Sequence, residues 1–154
     1  MDYEIQKLEP ENYDKCNNIW DMKRNEYNIK LAKKCYDELV SGNRMIFVYV
    51  KDGEYLGQCD LVFDANDSDY TIPDKRIYLS RMIVKPELRN QGIGSKMLDF
   101  LINYSKNLGY SEMSLGVDIV NIEARQLYEK KGFNKIIFVG EDEHGKFVKL
   151  LKAL

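Results

Sequence analysis

A strand, a glycine-containing turn and a helix follow one another in the segment Met82–Ser95, and this passage constrains the fold more than any other. A run of β-type residues ends near Val84, and Gly92 and Gly94 precede an amphipathic stretch. Glycine lets a ligand approach the backbone closely, and the N–H groups of a first helical turn point outward with the positive end of the helix dipole. Arg89 adds a charged donor. The segment predicts either a phosphate or pyrophosphate site or a plain tight turn.

The rest of the chain switches several times between strand-like and helix-like periodicity, which indicates an α/β (α+β) fold. A length of 154 residues suits one domain, so we expect a single domain over residues 1–154. Strands are predicted over Tyr3–Leu8, Met45–Lys51, Tyr55–Phe63, Arg76–Val84, Met113–Asp118, Phe133–Val139 and Phe147–Leu151, the last two as a closing pair around Gly140–Gly145. Helices are predicted from Pro10 through Met22, over Ile29–Val40 with Ser41-Gly42 ending it, from Gly92 to Leu108 and after Asn121.

Charge and cysteine usage disfavour several classes of protein. The formal net charge is −2, which gives nucleic-acid phosphates no general reason to bind. Cys16, Cys35 and Cys59 are widely spaced and have only His144, in an apparent surface turn, as a companion, so neither a metal site nor a disulfide framework is indicated. We expect buried free thiols in a reducing compartment. No apolar run is long enough for a membrane span or a signal core, so a cytoplasmic location is expected.

Two familiar phosphate motifs do not fit the glycine segment. A dinucleotide fingerprint needs a third glycine where Met97 stands, and a Walker loop needs a lysine directly after Gly94, where Ser95 stands. The pattern Arg89-x-x-Gly92-x-Gly94, with a strand before it and an amphipathic helix after it, instead resembles the acetyl-coenzyme-A loop of the GNAT family of N-acetyltransferases.

A second block supports the same resemblance. The sequence Asn121-x-x-Ala124-x-x-Leu127-Tyr128-x-x-x-Gly132-Phe133 is similar to the next helix of that family, at the expected spacing. With the order of elements before it, the resemblance covers nearly the whole chain. It implies a central mixed, mostly antiparallel sheet of about seven strands flanked by about four helices. It also implies acetyl-CoA as co-substrate, no metal, and direct attack of an amine on the thioester.

The resemblance assigns roles residue by residue. The strand segment Arg81, Met82, Ile83 and Val84 would pair with the pantetheine arm, and the loop residues Arg89, Asn90, Gln91, Gly92, Ile93, Gly94 and Ser95 would hold the pyrophosphate. Asn121 would contact the cofactor near its thioester end, although it is equally a natural helix cap. Tyr128 matches the usual general acid, and a core role is its alternative.

The general base is where the pattern departs from the family. Many relatives have a glutamate on the strand before the loop, but this sequence has Tyr78-Leu79-Ser80-Arg81 there. Asp60 and Asp118 are candidates because an acid within an apolar strand needs a physical reason to be there. An ordered water without a dedicated base is an equal alternative.

The acceptor is left open by the sequence. Residues 52–74 carry seven acids and no base, which would attract a cationic amine or simply be a solvated loop. Residues 81–96 carry four bases and one acid. Trp20, Tyr27 and Tyr36 would line an acceptor pocket or belong to the core. A small primary amine is the first hypothesis, and a peptide or protein N-terminus or lysine is the alternative. A non-catalytic CoA-binding sensor is the alternative from another class, and a homodimer is one option for assembly.

Overall fold

The computed structural model of the chain describes residues 3–19 and 25–154. Its strands are β1 (Glu4–Lys7), β2 (Arg44–Lys51), β3 (Glu54–Val62), β4 (Arg76–Val84), β5 (Glu112–Asp118), β6 (Lys135–Asp142) and β7 (Gly145–Ala153). Its α-helices are α1 (Glu26–Ser41), α2 (Ile93–Asn107) and α3 (Ile122–Lys130), and 3₁₀ helices cover Pro10–Asn18 and Pro86–Leu88. In this part of the chain no helix combines the length and the apolar character that crossing a membrane requires.

The strands form one mixed sheet with the order β1-β2-β3-β4-β5-β7-β6. The pairs β1–β2, β5–β7 and β6–β7 are antiparallel, whereas β4 and β5 run parallel. The predicted mixed sheet of about seven strands with flanking helices is therefore confirmed. A parallel neighbour needs a crossover connection, and α2 supplies it between β4 and β5.

Helix α1 begins earlier than the periodicity predicts. The side chain of Asn25 accepts a hydrogen bond from the N–H of Asn28 at 2.8 Å, so the first turn is capped before the predicted start at Ile29. Gly42, at φ +88°, ends the helix as predicted. The preceding helix, predicted from Pro10 through Met22, is a 3₁₀ helix over Pro10–Asn18, and Trp20 and Met22 lie outside the described residues.

The closing hairpin corrects one prediction. The glycines at both ends of the segment Gly140–Gly145 indicated a long turn, but β6 continues to Asp142 and only Glu143 and His144 connect the strands. Gly140 lies inside β6 and pairs with Phe147 of β7. A Cβ at residue 140 would lie 2.5 Å from the ring of Phe138, so the packing there requires glycine. His144 is exposed, as predicted.

Two compact units divide the chain. The first comprises the described residues up to Leu61 together with Arg81–Leu98, and the second comprises Val62–Ser80 with Asp99–Leu154. The core of the first unit packs α1 and the first 3₁₀ helix onto β2 and β3, and its members are Leu8, Tyr13, Cys16, Ile19, Cys35, Leu39, Ile46, Val48, Val50 and Tyr55. Cys16, Cys35 and Cys59 are all free and buried, which confirms that prediction.

In the second unit, the acidic loop after β3 is fixed to the sheet through Tyr70. The Tyr70 ring stacks on Tyr78 with 4.1 Å between centroids, and the hydroxyl of Ser114 donates to the Tyr70 carbonyl at 2.5 Å. Lys149 bonds Asp67 and lies 4.7 Å from the centre of the Tyr70 ring. A segment predicted only as a loop is thus held by a stacked pair and a buried cation.

Gly116 on β5 provides the space that Tyr70 occupies, since a Cβ at residue 116 would overlap the Tyr70 hydroxyl oxygen. We expect Gly116→Ala to lower the free energy of unfolding by about 1 to 3 kcal/mol, as overpacking does. The double variant Gly116→Ala/Tyr70→Phe should regain most of that loss relative to Tyr70→Phe alone, because the next ring atom is 3.4 Å away. Urea denaturation of the four proteins checks this, and equal losses in both backgrounds would contradict it.

Candidate active site

The turn between β4 and α2 is built from two residues in the left-handed backbone region. Asn90 has φ +65° and Gly92 has φ +85°. Asparagine tolerates this region better than most residues, and glycine enters it without a steric cost. The chain thereby turns from the 3₁₀ helix Pro86–Leu88 into α2, which begins at Ile93. The sequence predicted the strand Arg76–Val84 with the same bounds, and the helix that it predicted from Gly92 begins one residue later; the 3₁₀ helix Pro86–Leu88 was not predicted.

The first turn of α2 offers backbone donors to an anion. The N–H of Lys96 donates to the Gly92 carbonyl at 3.1 Å, which is the first hydrogen bond of the helix. The N–H groups of Ile93, Gly94 and Ser95 come before it and have no acceptor within the helix. A Cβ on Gly92 would meet no atom within 4 Å, so the space over the turn is open to a ligand. A 15-residue helix adds the positive end of its dipole. These residues fit a phosphate or pyrophosphate group, which binds well at a helix N-terminus, and the sequence resemblance expects the pyrophosphate of coenzyme A here.

Basic residues flank this turn on both sides along the chain. Arg89 is exposed, and its Nε donates to the Val84 carbonyl at 3.3 Å. Lys85 is paired with Glu54 at 2.5 Å, a hydrogen bond that raises the pKa of Lys85. Lys96 lies 4.7 Å from the centre of the Tyr3 ring. Arg89 is therefore the residue of this basic stretch best placed to meet a phosphate beside the turn.

Strand β4 has one edge with limited pairing. Its register with β5 covers Arg76–Tyr78 only, while the N–H of Lys85 bonds the Leu56 carbonyl on β3 at 3.0 Å. The segment Arg81–Val84 thus lies beyond the residues that pair with β5. An extended molecule can add to such an edge as a strand does. This is the segment in which the sequence resemblance expects the pantetheine arm.

Asp60 lies in a buried ion pair. Its side chain is 0% exposed, and its two oxygens accept bonds from Arg44 at 2.5 Å and from Gln58 at 2.9 Å. Arg44 is 5% exposed and also bonds Glu38 at 3.2 Å. Burial raises the pKa of Asp60, although Arg44 and Arg81 oppose that shift.

The ion pair with Arg44 explains why an acid lies at residue 60 within an apolar strand. An acid within an apolar strand needs a reason, and here the reason is a cation on the neighbouring strand. The sequence analysis missed Arg44, although its position directly before the apolar run of β2 is a visible signal. The assignment of Asp60 as general base stays a prediction, but the acid no longer needs a catalytic role to explain it.

The other candidate residues lie in the second unit. Asp118 is exposed at the end of β5, and its carbonyl accepts a bond from the N–H of Asn121 at 3.0 Å. Asn121 caps α3 by accepting from the N–H of Ala124 at 3.3 Å, as the cap alternative predicts. Tyr128, on α3, is 8% exposed, and its ring meets Phe133 edge-on at 6.0 Å between centroids.

The aromatic and acidic residues that the sequence analysis proposed for an acceptor pocket lie in different parts of the structure. Tyr27 and Tyr36 on α1 are exposed, and Trp20 lies outside the described residues. Among the acids of residues 52–74, basic partners are found for Glu54, Asp60, Asp67 and Asp69. Asp64 and Asp74 line an open cleft of about 530 Å³ in the second unit, beside Phe63 and Tyr110.

Thiol chemistry and metal chemistry find no support in the described residues. Burial raises the pKa of Cys16 to about 12 and also raises the pKa of Cys35 and Cys59, so these groups are protonated at neutral pH. Among residues 3–19 and 25–154, no group of three or more His, Cys, Asp or Glu side chains is arranged to hold a metal ion.

The comparison with protein families identifies the chain. The model described as Acetyltransferase (GNAT) family matches residues 5–133. The chain belongs to the GNAT acetyltransferase family, and the resemblance inferred from the two motifs is confirmed.

Individual relatives are more distant. Human (Homo sapiens) N-acetyltransferase 8 is 33% identical over 67 residues, which are 44% of this chain and 30% of that protein. The thialysine N-epsilon-acetyltransferase of Bos taurus is 36% identical over 81 residues, 52% of this chain and 48% of that protein. These matches span about a third to a half of the length of the curated relatives.

The fold itself recurs among solved structures. The structure of PaiA N-acetyltransferase from Thermoplasma acidophilum, in complex with coenzyme A, covers 100% of both chains with a TM-score of 0.72 and 22% identity. At this identity the likeness establishes the shared fold.

The buried pair makes a prediction about stability. Asp60→Leu leaves the Arg44 guanidinium buried with only Glu38 as partner, so we expect a loss of roughly 3 to 5 kcal/mol in the free energy of unfolding. The double variant Arg44→Leu/Asp60→Leu should recover part of it, because the buried guanidinium is gone and the Glu38 carboxylate that it leaves behind is 18% exposed. The control is Asp37→Ala, which breaks an exposed pair with Lys33 and should cost at most about 0.5 kcal/mol. A double variant as unstable as Asp60→Leu, measured by urea denaturation, would overturn this account.

A second prediction distinguishes the role of Gly92 in the conformation of the turn from its role in coenzyme A binding. Gly92→Ala strains a backbone at φ +85° by roughly 1 to 2 kcal/mol and places a methyl group over the anion site. Gly109→Ala is the matched control, because Gly109 has φ +98° and equally open surroundings but follows the end of α2. We expect similar stability losses, but only Gly92→Ala should weaken coenzyme A binding, by about tenfold or more. Titration calorimetry with coenzyme A tests this, and equal affinities in the two variants would remove Gly92 from the site.

Proposed function

We propose that this chain is an acetyl-CoA-dependent N-acetyltransferase that acetylates a small primary amine. The observation that carries the proposal is the open, amide-lined segment Asn90–Ser95 at the start of α2, in a chain of the GNAT family. Neither a metal nor a thiol nucleophile is required for such a transfer. A thialysine acetyltransferase among the relatives supports a small amine over a protein acceptor.

The chain's own residues hold the cofactor at two places in this proposal. The amides of the loop from Arg89 through Ser95 hold the pyrophosphate, and the segment Arg81–Val84 pairs with the pantetheine arm. Bound acetyl-CoA supplies a thioester as the acetyl donor. When acetyl-CoA and the amine are bound side by side, the entropic cost of their encounter is met by binding, and this lowers the activation barrier of acetyl transfer.

The transfer also moves two protons: the attacking amine loses one, and the departing thiolate of coenzyme A gains one. Tyr128 is proposed as the general acid, whose Oη gives a proton to the departing thiolate sulfur, and Asn121 as a contact near the thioester. Asp118 is favoured over Asp60 as the base because it is exposed, whereas both oxygens of Asp60 already accept hydrogen bonds. Acceptance of the proton by an ordered water, without a dedicated base, is the alternative.

The setting of the enzyme is part of the proposal. Buried free thiols at Cys16, Cys35 and Cys59 support a reducing, cytoplasmic location. We further propose that residues 1–154 act as one acetyltransferase domain and that the chain forms homodimers. No feature of the sequence or of the described residues favours nucleic-acid or membrane binding.

The test is turnover of acetyl-CoA against a panel of diamines, amino acids and peptides, followed as release of free thiol. We expect a small amine to be acetylated, and Tyr128→Phe to lower kcat by about a hundredfold, the usual contribution of a general acid, without weakening coenzyme A binding. Tyr55→Phe, which removes a hydroxyl from a similarly buried tyrosine in the first unit, is the control.

Three outcomes would correct the proposal. Tight coenzyme A binding without thiol release on any amine would make the chain a sensor module, and activity confined to peptides would make the acceptor a protein. Full activity of Tyr128→Phe across the pH range would exclude Tyr128 as the acid.

A further inference from the structure

Tyr70 brings a hydroxyl group from the loop after β3 to the place where β4 and β5 stop pairing. The register between these two strands ends at the pair Tyr78 and Ser114. Gly116 follows Ser114 by two residues on β5, and a Cβ added there would overlap the Tyr70 hydroxyl oxygen. The Oη atom of Tyr70 therefore lies against β5 just beyond its last residue paired with β4.

The part of β5 beside this hydroxyl is exposed. Gly116 and Asp118 are both exposed, whereas Val117 between them is buried. Successive side chains of a strand point to opposite faces, so Asp118 points to the face on which a side chain at residue 116 would meet Tyr70. The Tyr70 hydroxyl and the carboxylate that we favour as general base thus share one face of β5, at residues about 7 Å apart along the strand.

The side chain of Tyr70 is held in this position by its neighbours. Its ring stacks on that of Tyr78, and its backbone carbonyl accepts a hydrogen bond from the Ser114 hydroxyl. The ammonium group of Lys149, which bonds Asp67 at 3.0 Å, lies 4.7 Å from the centre of the Tyr70 ring. A side chain that is already ordered loses little further conformational entropy when it binds a ligand.

The Tyr70 hydroxyl stays protonated at neutral pH. Burial raises the pKa of Tyr70, and the neighbouring Tyr78 and the Asp67 carboxylate raise it further. A neutral phenol can donate one hydrogen bond and can also accept hydrogen bonds through its lone pairs. One hydrogen bond joins the side chains of Tyr70 and Tyr78, and in either direction it leaves a lone pair on the Tyr70 oxygen. This oxygen is therefore suited to accept a hydrogen bond from an amine without taking its proton.

We propose that Tyr70 binds the acceptor of the acetyl transfer, with its Oη accepting a hydrogen bond from an N–H of the attacking amine. The inference rests on the proposed function and adds the contact that orients the amine. A primary amine has two N–H groups, so Tyr70 can hold one while the other proton is lost to the base. A secondary amine has a single N–H and cannot do both, so the contact selects primary amines.

The binding of two coenzyme A derivatives tests this contact. In the first, the coenzyme A sulfur is joined to the α-carbon of an N-butylacetamide group, whose amide nitrogen stands in for the attacking amine nitrogen. In the second, that nitrogen carries a methyl group in place of its hydrogen. We expect titration calorimetry to show that the wild type binds the first derivative more tightly than the second. Tyr70→Phe should weaken binding of the first by about fivefold, the usual contribution of one hydrogen bond, and leave binding of the second unchanged.

Tyr104→Phe is the matched control. Tyr104 is also half-buried in the second unit and stacked on a ring, that of Phe100, so losing its hydroxyl should change neither affinity. A loosened loop would weaken both derivatives alike, so the ratio of the two affinities distinguishes a contact with the amine from a structural role of Tyr70.

Two results would overturn the role of Tyr70: equal affinities of the two derivatives for the wild type, or the same ratio of affinities in Tyr70→Phe as in the wild type. Unmodified coenzyme A, titrated in parallel, tests the proposed function separately. If coenzyme A does not bind the wild type, the proposed function fails and this inference fails with it. If coenzyme A binds and the ratio does not change, only the role of Tyr70 is wrong.

Discussion

The left-handed backbone at Asn90 and Gly92 is the constraint on which the proposed site depends. Those two residues turn the chain sharply enough for α2 to begin directly after the 3₁₀ helix that follows β4. The same turn aims the first amides of α2 outward, and the missing side chain of Gly92 leaves the approach open. Local backbone geometry thus offers main-chain donors to an anion, and this is where we propose that the pyrophosphate of coenzyme A binds.

Local features of this kind are also what the sequence predicted best. The glycine loop and the capping roles of Asn121 and Gly42 depend on residues within a few positions of one another, and they are found where they were expected. The family followed from two such local blocks. The predicted turn over Gly140–Gly145 is partly wrong for a local reason. Gly140 lies within β6, where its lack of a side chain leaves room for the rings of Phe138 and Phe147. Glycine indicates space as well as flexibility, and only the packing distinguishes the two.

Pairings between distant segments could not be predicted in the same way. Arg44 and Asp60 are 16 residues apart and meet only because β2 and β3 are neighbours with a particular register. The sequence showed an acid in an apolar strand without showing its partner, and catalysis was therefore one explanation among others. Lys149, which bonds Asp67 from 82 residues away, is a second example. Once such partners are known, a buried carboxylate is explained by charge neutralisation before chemistry is invoked.

These pairings change how the charge distribution of the chain should be understood. Residues 52–74 carry a formal charge of −7, which as a sum would create a strong field for cationic amines. Asp60 is neutralised by Arg44 inside the first unit, Glu54 bonds Lys85, and Asp67 and Asp69 share Lys149. Paired charges are felt mainly at short range, because the two members cancel beyond a few ångströms and salt screens the remainder. The formal charge of −7 therefore overstates the attraction that residues 52–74 exert on a cationic amine at a distance.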